Sequence, residues 1–183
     1  MLKNSVLHLS FAAALLAASG IALSATTSTT IAVSAAVSKA CTISTTAALA
    51  FGTYDPIGAN LTANLLATGA VTVVCSKGST GLSIGMDNGT HSAGSQRQMV
   101  LTGGTATDIL LYDIYLPPST APATACATTG GTAWNTTSPG GVLTLTDAPT
   151  KVGRLYNVCG SIPMAQDAPT GNYTDLVTAT LTF

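Results

Sequence analysis

The chain has 183 residues, of which 46% are hydrophobic and only 7% charged, with six Lys and Arg against seven acidic residues for a formal charge of −1. An ordinary soluble domain carries roughly 25% charged residues, and so weak and balanced a charge supplies no basic field for a nucleic-acid backbone or an anionic membrane surface. Every acidic residue is Asp and the histidines are His8 and His91 alone, so the usual stock of general acids, bases and metal ligands is nearly empty; a secreted, non-enzymatic, all-β protein is expected, because the apolar residues are mostly small or β-branched.

Residues 1–25 read MLKNSVLHLSFAAALLAASGIALSA. One cation at Lys3, an apolar stretch from Val6 to Leu23 and small residues after it form the three-part pattern of a secretory signal peptide. Ser10, Ser19 and Gly20 dilute the apolar run and no cationic stop-transfer group follows Ala25, which argues against a membrane anchor. The mature chain is expected to start at Ala25 or Thr26, leaving about 158 residues, a length suited to one core. Export places Cys41, Cys75, Cys126 and Cys159 in an oxidising compartment, where an even number favours two disulfides. Three pairings are possible, and the sequential one, Cys41 with Cys75 and Cys126 with Cys159, keeps each bridge local. A zinc site lacks CxxC or HxxxH spacing, and no cofactor is expected.

The mature chain reads as short strands separated by turns. In its first segment Ile31, Val33, Ala35 and Val37 alternate with Ala32, Ser34, Ala36 and Ser38. Val71, Val73 and Cys75 share one face of the next strand, Leu82, Ile84 and Met86 a face of another, and Leu110, Tyr112, Ile114 and Leu116 a third. Gln98–Leu101, Gly141–Thr146, Arg154–Val158 and Asn172–Phe183 are further candidates. Turn residues stand between them at Asp87-Asn88-Gly89, Gly103-Gly104, Pro117-Pro118, Gly130-Gly131, Pro139-Gly140-Gly141 and Asp147-Ala148-Pro149. Ala121–Thr137 is expected to be a long surface loop anchored by Trp134. No stripe has helical spacing, so an antiparallel sandwich is predicted. In the last strand Val177, Ala179, Leu181 and Phe183 alternate with Thr178, Thr180 and Thr182, and its backbone edge is expected to be open for pairing.

Other candidate sites have plainer accounts. Asp55, Asp113 and Asp175 lie apart near turns without calcium-loop spacing and are expected to cap and brace. His91 and Ser92 lack a nucleophile elbow. Tyr54, Tyr112, Tyr115 and Trp134 fit core and loop anchoring before a sugar platform, and the Asn-x-Thr triplets at Asn60, Asn88, Asn135 and Asn172 are expected by chance in so Thr-rich a chain.

Three patterns occur in order: Cys41 followed by Phe51-Gly52-Thr53-Tyr54-Asp55-Pro56, then Tyr112-Asp113-Ile114-Tyr115, then Gly171-Asn172-Tyr173-Thr174-Asp175 with its Thr-alternating strand. Together they resemble the spore coat protein U domain family, which includes the pilin subunits of Csu-type, archaic chaperone-usher fimbriae. The resemblance implies an incomplete immunoglobulin-like β-sandwich, residues 39–183, completed by a donor strand from a neighbouring subunit. It further implies a donor extension over residues 26–38 with Ile31, Val33, Ala35 and Val37 inward, and a groove edge of Val177, Ala179, Leu181 and Phe183. The implied partners are a periplasmic chaperone, an outer-membrane usher and other pilin subunits, in fimbriae at the cell surface that support attachment or biofilm formation. A secreted coat protein that forms no long fibres is the alternative.

Overall fold

The computed structural model describes residues 24–127, 131–137 and 139–183. The expected signal peptide therefore lies outside the described residues, except for Ser24 and Ala25. The chain divides into two units, residues 1–36 and 37–183. Within the first, residues 24–36 carry no strand and are exposed. The strand expected there is absent from the ladder, for the physical reason that an extended segment counts as a strand only beside a partner whose backbone it can bond.

Among the described residues the second unit holds nine strands: β1 (Cys41–Ala47), β2 (Leu65–Cys75), β3 (Ser83–Met86), β4 (Arg97–Leu101), β5 (Ile109–Tyr115), β6 (Leu143–Thr144), β7 (Arg154–Ile162), β8 (Tyr173–Thr174) and β9 (Ala179–Thr182). A six-stranded sheet has the order β1-β2-β7-β5-β4-β8 and a three-stranded sheet the order β6-β3-β9. Every neighbouring pair is antiparallel. This is an incomplete immunoglobulin-like β-sandwich, with β1 at one edge of the large sheet and β9 at one edge of the small one.

The core forms where the apolar faces of the two sheets meet. Val71 and Val73 from β2, Tyr112 and Ile114 from β5, and Tyr156 and Val158 from β7 meet Ile84 and Met86 from β3 and Leu143 from β6. The period-two runs in the sequence are these inward faces, most clearly in β5, where Leu110, Tyr112 and Ile114 are buried and the residues between them half-buried. Glycine is required on β2: a Cβ at Gly69 would stand 3.0 Å from the Leu49 amide nitrogen and 3.1 Å from the Ala47 carbonyl oxygen. Its absence lets the bulged end of β1, where the register shifts between Thr45 and Ala47, lie close across β2.

Two expected strands need correction, and one strand lay outside the expectation. The strand β1 was not anticipated. The strand expected over Gly141–Thr146 is confined to Leu143–Thr144. The continuous strand expected over Asn172–Phe183 is two: β8 bonds β4 in the large sheet, and β9 bonds β3 in the small one. The chain changes sheets between Asp175 and Thr178, where the Asp175 side chain and the turn after β3 hold it. Trp134 is fully buried, its indole N–H donating to the Ile84 carbonyl at 2.8 Å, so the loop it belongs to passes through the core at that point.

Both disulfides follow the sequential pairing, Cys41–Cys75 and Cys126–Cys159. The first crosses the β1–β2 ladder at directly opposed residues with Cα atoms 4.1 Å apart, the close spacing of a pair that exchanges no backbone hydrogen bonds.

Candidate functional site: an open groove between two strand edges

The free edges of β1 and β9 border a groove of about 580 Å³. Its floor is apolar core, made of Val71, Met86, Met99, Tyr112, Ile114 and Val158, with Ile43, Leu49 and Phe51 on one side and Val177 and Ala179 on the other. Phe51 packs edge-on against Tyr112 with ring centroids 6.2 Å apart.

Strand alternation fixes which backbone groups face the opening. The Ser76 amide donates to the Ala40 carbonyl, so in this ladder Thr42 and Ser44 bond β2, while the N–H and C=O of Cys41, Ile43 and Thr45 point away from it. Across the groove the Asp87 amide donates to the Thr178 carbonyl at 3.0 Å. Thr178, Thr180 and Thr182 therefore turn their backbones toward the β3 side, and Val177, Ala179 and Leu181 turn theirs outward. Among the described residues those outward groups have no hydrogen-bond partner. Unpaired backbone on both rims of an apolar floor is the complement of an extended chain with apolar side chains at every second position.

The β9 rim is braced by two carboxylates. Asp87 Oδ1 accepts from the amides of Gly89 at 3.0 Å and Thr178 at 2.9 Å. Asp175 has a side chain only 2% exposed. Its Oδ1 accepts from the Thr90 amide at 3.0 Å, the Thr90 hydroxyl at 2.8 Å, the His91 amide at 3.2 Å and His91 Nδ1 at 3.0 Å, and its Oδ2 accepts from the Tyr112 hydroxyl at 2.6 Å. Burial pushes this carboxyl up, but the donors from Tyr112, Thr90, Leu176 and His91 outweigh it and hold the group below the usual carboxylate range. Burial, followed by the hydrogen bond to Asp175, pushes the Tyr112 phenol well up, so it remains a donor at any physiological pH. Asp175 lines the groove, yet its acceptors are occupied and it does not make the groove hydrophilic.

Arg97 is a second brace that sequence reasoning did not find, because charged side chains are rarely buried. It is 3% exposed and donates to the carbonyls of Met86 at 3.3 Å, Asp87 at 2.6 Å and Trp134 at 2.6 Å. The cation thus ties the end of β3 to the loop that carries Trp134. Burial lowers its pKa, with Tyr112, Asp113, Asp87 and Asp175 acting in opposition.

The expected site residues fall in different places. Val177 and Ala179 line the groove and Leu181 packs on the core beyond it, whereas Phe183 is 49% exposed. Ile31, Val33 and Val37 are 83%, 92% and 89% exposed. Asp55 braces its own turn, accepting from the amides of Ile57 and Gly58. Tyr112 and Trp134 are core residues, not a platform. Among the described residues no group of three or more His, Cys, Asp or Glu could hold a metal ion, and no helix is long and apolar enough to cross a membrane.

A sequence model of the Spore Coat Protein U domain matches residues 27–180. The chain is similar to Protein U of Myxococcus xanthus, with 33% identity over 192 residues covering all of this chain and 98% of that one. Among solved structures it is similar to the CsuC–CsuE chaperone–tip adhesion subunit pre-assembly complex of the archaic chaperone-usher Csu pili of Acinetobacter baumannii, at 21% identity and a TM-score of 0.43, over 80% of this chain and 40% of that one. A chaperone–tip adhesin complex of CFA/I fimbriae biogenesis matches at 18% identity and a TM-score of 0.37, over 70% of this chain and 37% of that one. The chain thus spans two fifths or less of the length of these solved chains.

Proposed function

The chain belongs to the spore coat protein U domain family, and from that membership and the open groove we propose that it is a structural subunit of surface fimbriae, assembled by donor-strand complementation. The single observation that carries the reading is the groove itself, an apolar floor between two unpaired strand edges. In the proposed mechanism a periplasmic chaperone first lends a strand to the groove, and at an outer-membrane usher the strand is replaced by residues 26–38 of the next subunit. Ile31, Val33, Ala35 and Val37 enter the floor side by side while the backbone bonds the rims at Val177, Ala179 and Leu181. Two disulfides support export, since such bonds persist in oxidising compartments.

Magnitudes favour assembly. Burying Ile31, Val33 and Val37 contributes on the order of 5–9 kcal/mol gross, part of it offset by ordering the segment. A strand seated between two edges needs roughly 9.6 Å, twice the interstrand spacing, while the nearest Cα atoms of β1 and β9 stand within 8 Å. Insertion therefore widens the groove at that end, a step suited to catalysis by a chaperone that holds it open. Each donor meets a different acceptor, a head-to-tail contact that grows filaments when it does not close.

The test is Val33→Asp combined with Val37→Asp. Each carboxylate would enter the floor unpaired, so fibres should vanish while the variant still folds and still accepts a wild-type donor. Normal fibres from it would overturn the donor assignment. The family's description as a Spore Coat Protein U domain favours a second reading, a secreted coat protein without long fibres; chaperone and usher genes beside this one would favour the first.

A further inference from the structure

We infer that Ser76 and Lys39 form a clamp that holds residues 38–40 extended, so that the N-terminal arm cannot fold back into the groove of its own chain. The inference rests on the donor-strand reading above. Residues 31–37 stand immediately before β1, and β1 is one rim of the groove. A turn at residues 38–40 would need only three residues to make the arm an antiparallel hairpin partner of β1, a length common in hairpins, and would lay Ile31, Val33 and Val37 in the chain's own groove. An arm tethered this closely has an effective concentration in the millimolar range. Against neighbours at micromolar concentration it would win by about a thousandfold, and polymerisation would stop at the monomer.

The structure opposes that turn at each residue. The Ser76 hydroxyl accepts from the Ala40 amide at 3.1 Å and donates to the Ser38 carbonyl at 3.4 Å. The Ser76 amide donates to the Ala40 carbonyl at 2.9 Å, prolonging the β1–β2 ladder beyond the Cys41–Cys75 bridge. The Lys39 ammonium donates to the Thr80 carbonyl at 2.9 Å. The receiving turn is itself fixed: the Ser79 hydroxyl donates to the Ser76 carbonyl at 2.8 Å, and Ala148 and Ser79 are joined through their backbones at 2.9 Å. Val37, the next residue outward, is 89% exposed, so the clamp ends where the arm begins. Ser76 and Lys39 are positioning residues; neither lines the groove.

The experiment compares the exported full chain with two variants, Ser76→Ala with Lys39→Ala, and Lys39→Asn with Ala40→Gly. The second leaves Ser76 intact and installs a favoured hairpin turn, so one variant remains if the other fails to fold. Each is refolded at low concentration and titrated with a fluorescein-labelled peptide of residues 26–38, followed by anisotropy, and then concentrated and sized by light scattering. The wild type should bind peptide and grow into oligomers on concentration. The variants should bind at least tenfold less peptide and remain monomers. Equal binding and growth in all three would overturn the clamp and leave the donor reading standing; a wild type that binds no peptide overturns both.

Discussion

The Tyr112 hydroxyl donates to Asp175 Oδ2 at 2.6 Å, joining the centre of β5 in the large sheet to the segment that carries the chain into β9 of the small one. The bond sits on the groove's inner wall, and Asp175 gathers the 90–91 turn through its other oxygen. The rim to which an incoming strand must bond is therefore held from below and from the side.

Asp175→Asn tests this brace. The amide nitrogen must face either the Tyr112 hydroxyl or the donors of Thr90 and His91, so at least one hydrogen bond to a charged group is lost, costing about 1.5–3 kcal/mol. Tyr112→Phe should cost about 1.5 kcal/mol or more through the same bond. Urea unfolding of the two single variants and the double variant checks it; full additivity would mean that the two side chains are not coupled.

Acid should loosen the same rim. Asp87 and Asp175 are both held below the usual carboxylate range, so their contribution is present above the ordinary carboxyl pKa of about 3.9 and is lost as the pH falls through their lowered values. The unfolding midpoint should be flat from neutrality to about pH 5 and drop below about pH 4, with a shallower drop in Asp175→Asn. Melting curves against pH measure it.

Arg97→Met removes donors from three carbonyls, those of Met86 and Trp134 in buried contacts and that of Asp87 in a half-buried one. Each orphaned acceptor costs about 1–3 kcal/mol, so the variant should lose at least about 3 kcal/mol and accumulate poorly. Recovery of soluble, oxidised protein close to the wild-type yield, with unchanged urea midpoint, would contradict the role given to the guanidinium.

Tyr156→Phe should run the other way. Among the described residues the Tyr156 hydroxyl is buried without a partner, as is Arg154 Nη2, and deleting an unsatisfied hydroxyl while keeping the ring leaves packing intact. Stability should be unchanged or higher by up to about 1 kcal/mol, read from the same urea curves.

Much of the sandwich was legible because half-buried strands alternate, as Leu110, Tyr112 and Ile114 do in β5. β1 escaped because CTISTTA offers one large apolar residue, Ile43, and owes its place to the ladder with β2 and the Cys41 bridge. The division of the last strand escaped because regular alternation runs from Val177 to Phe183; Asp175 and Leu176 interrupt it, and the tertiary partners of Asp175 show that the chain changes sheets there. Val177 and Ala179 were legible as an inward stripe, whereas Leu49, Phe51 and Met99 reach the groove by packing no periodicity encodes.

The most direct test of the account is the melting temperature of the oxidised core, residues 39–183, with and without a synthetic peptide of residues 26–38. A peptide at a hundred times its dissociation constant adds about 2.7 kcal/mol, which for a domain of this size corresponds to roughly 5–10 °C. The account predicts a saturable rise of that order, abolished when Val33 and Val37 of the peptide are replaced by Asp. A core already stable alone and indifferent to the peptide would contradict it, and would describe a sandwich that needs no donor.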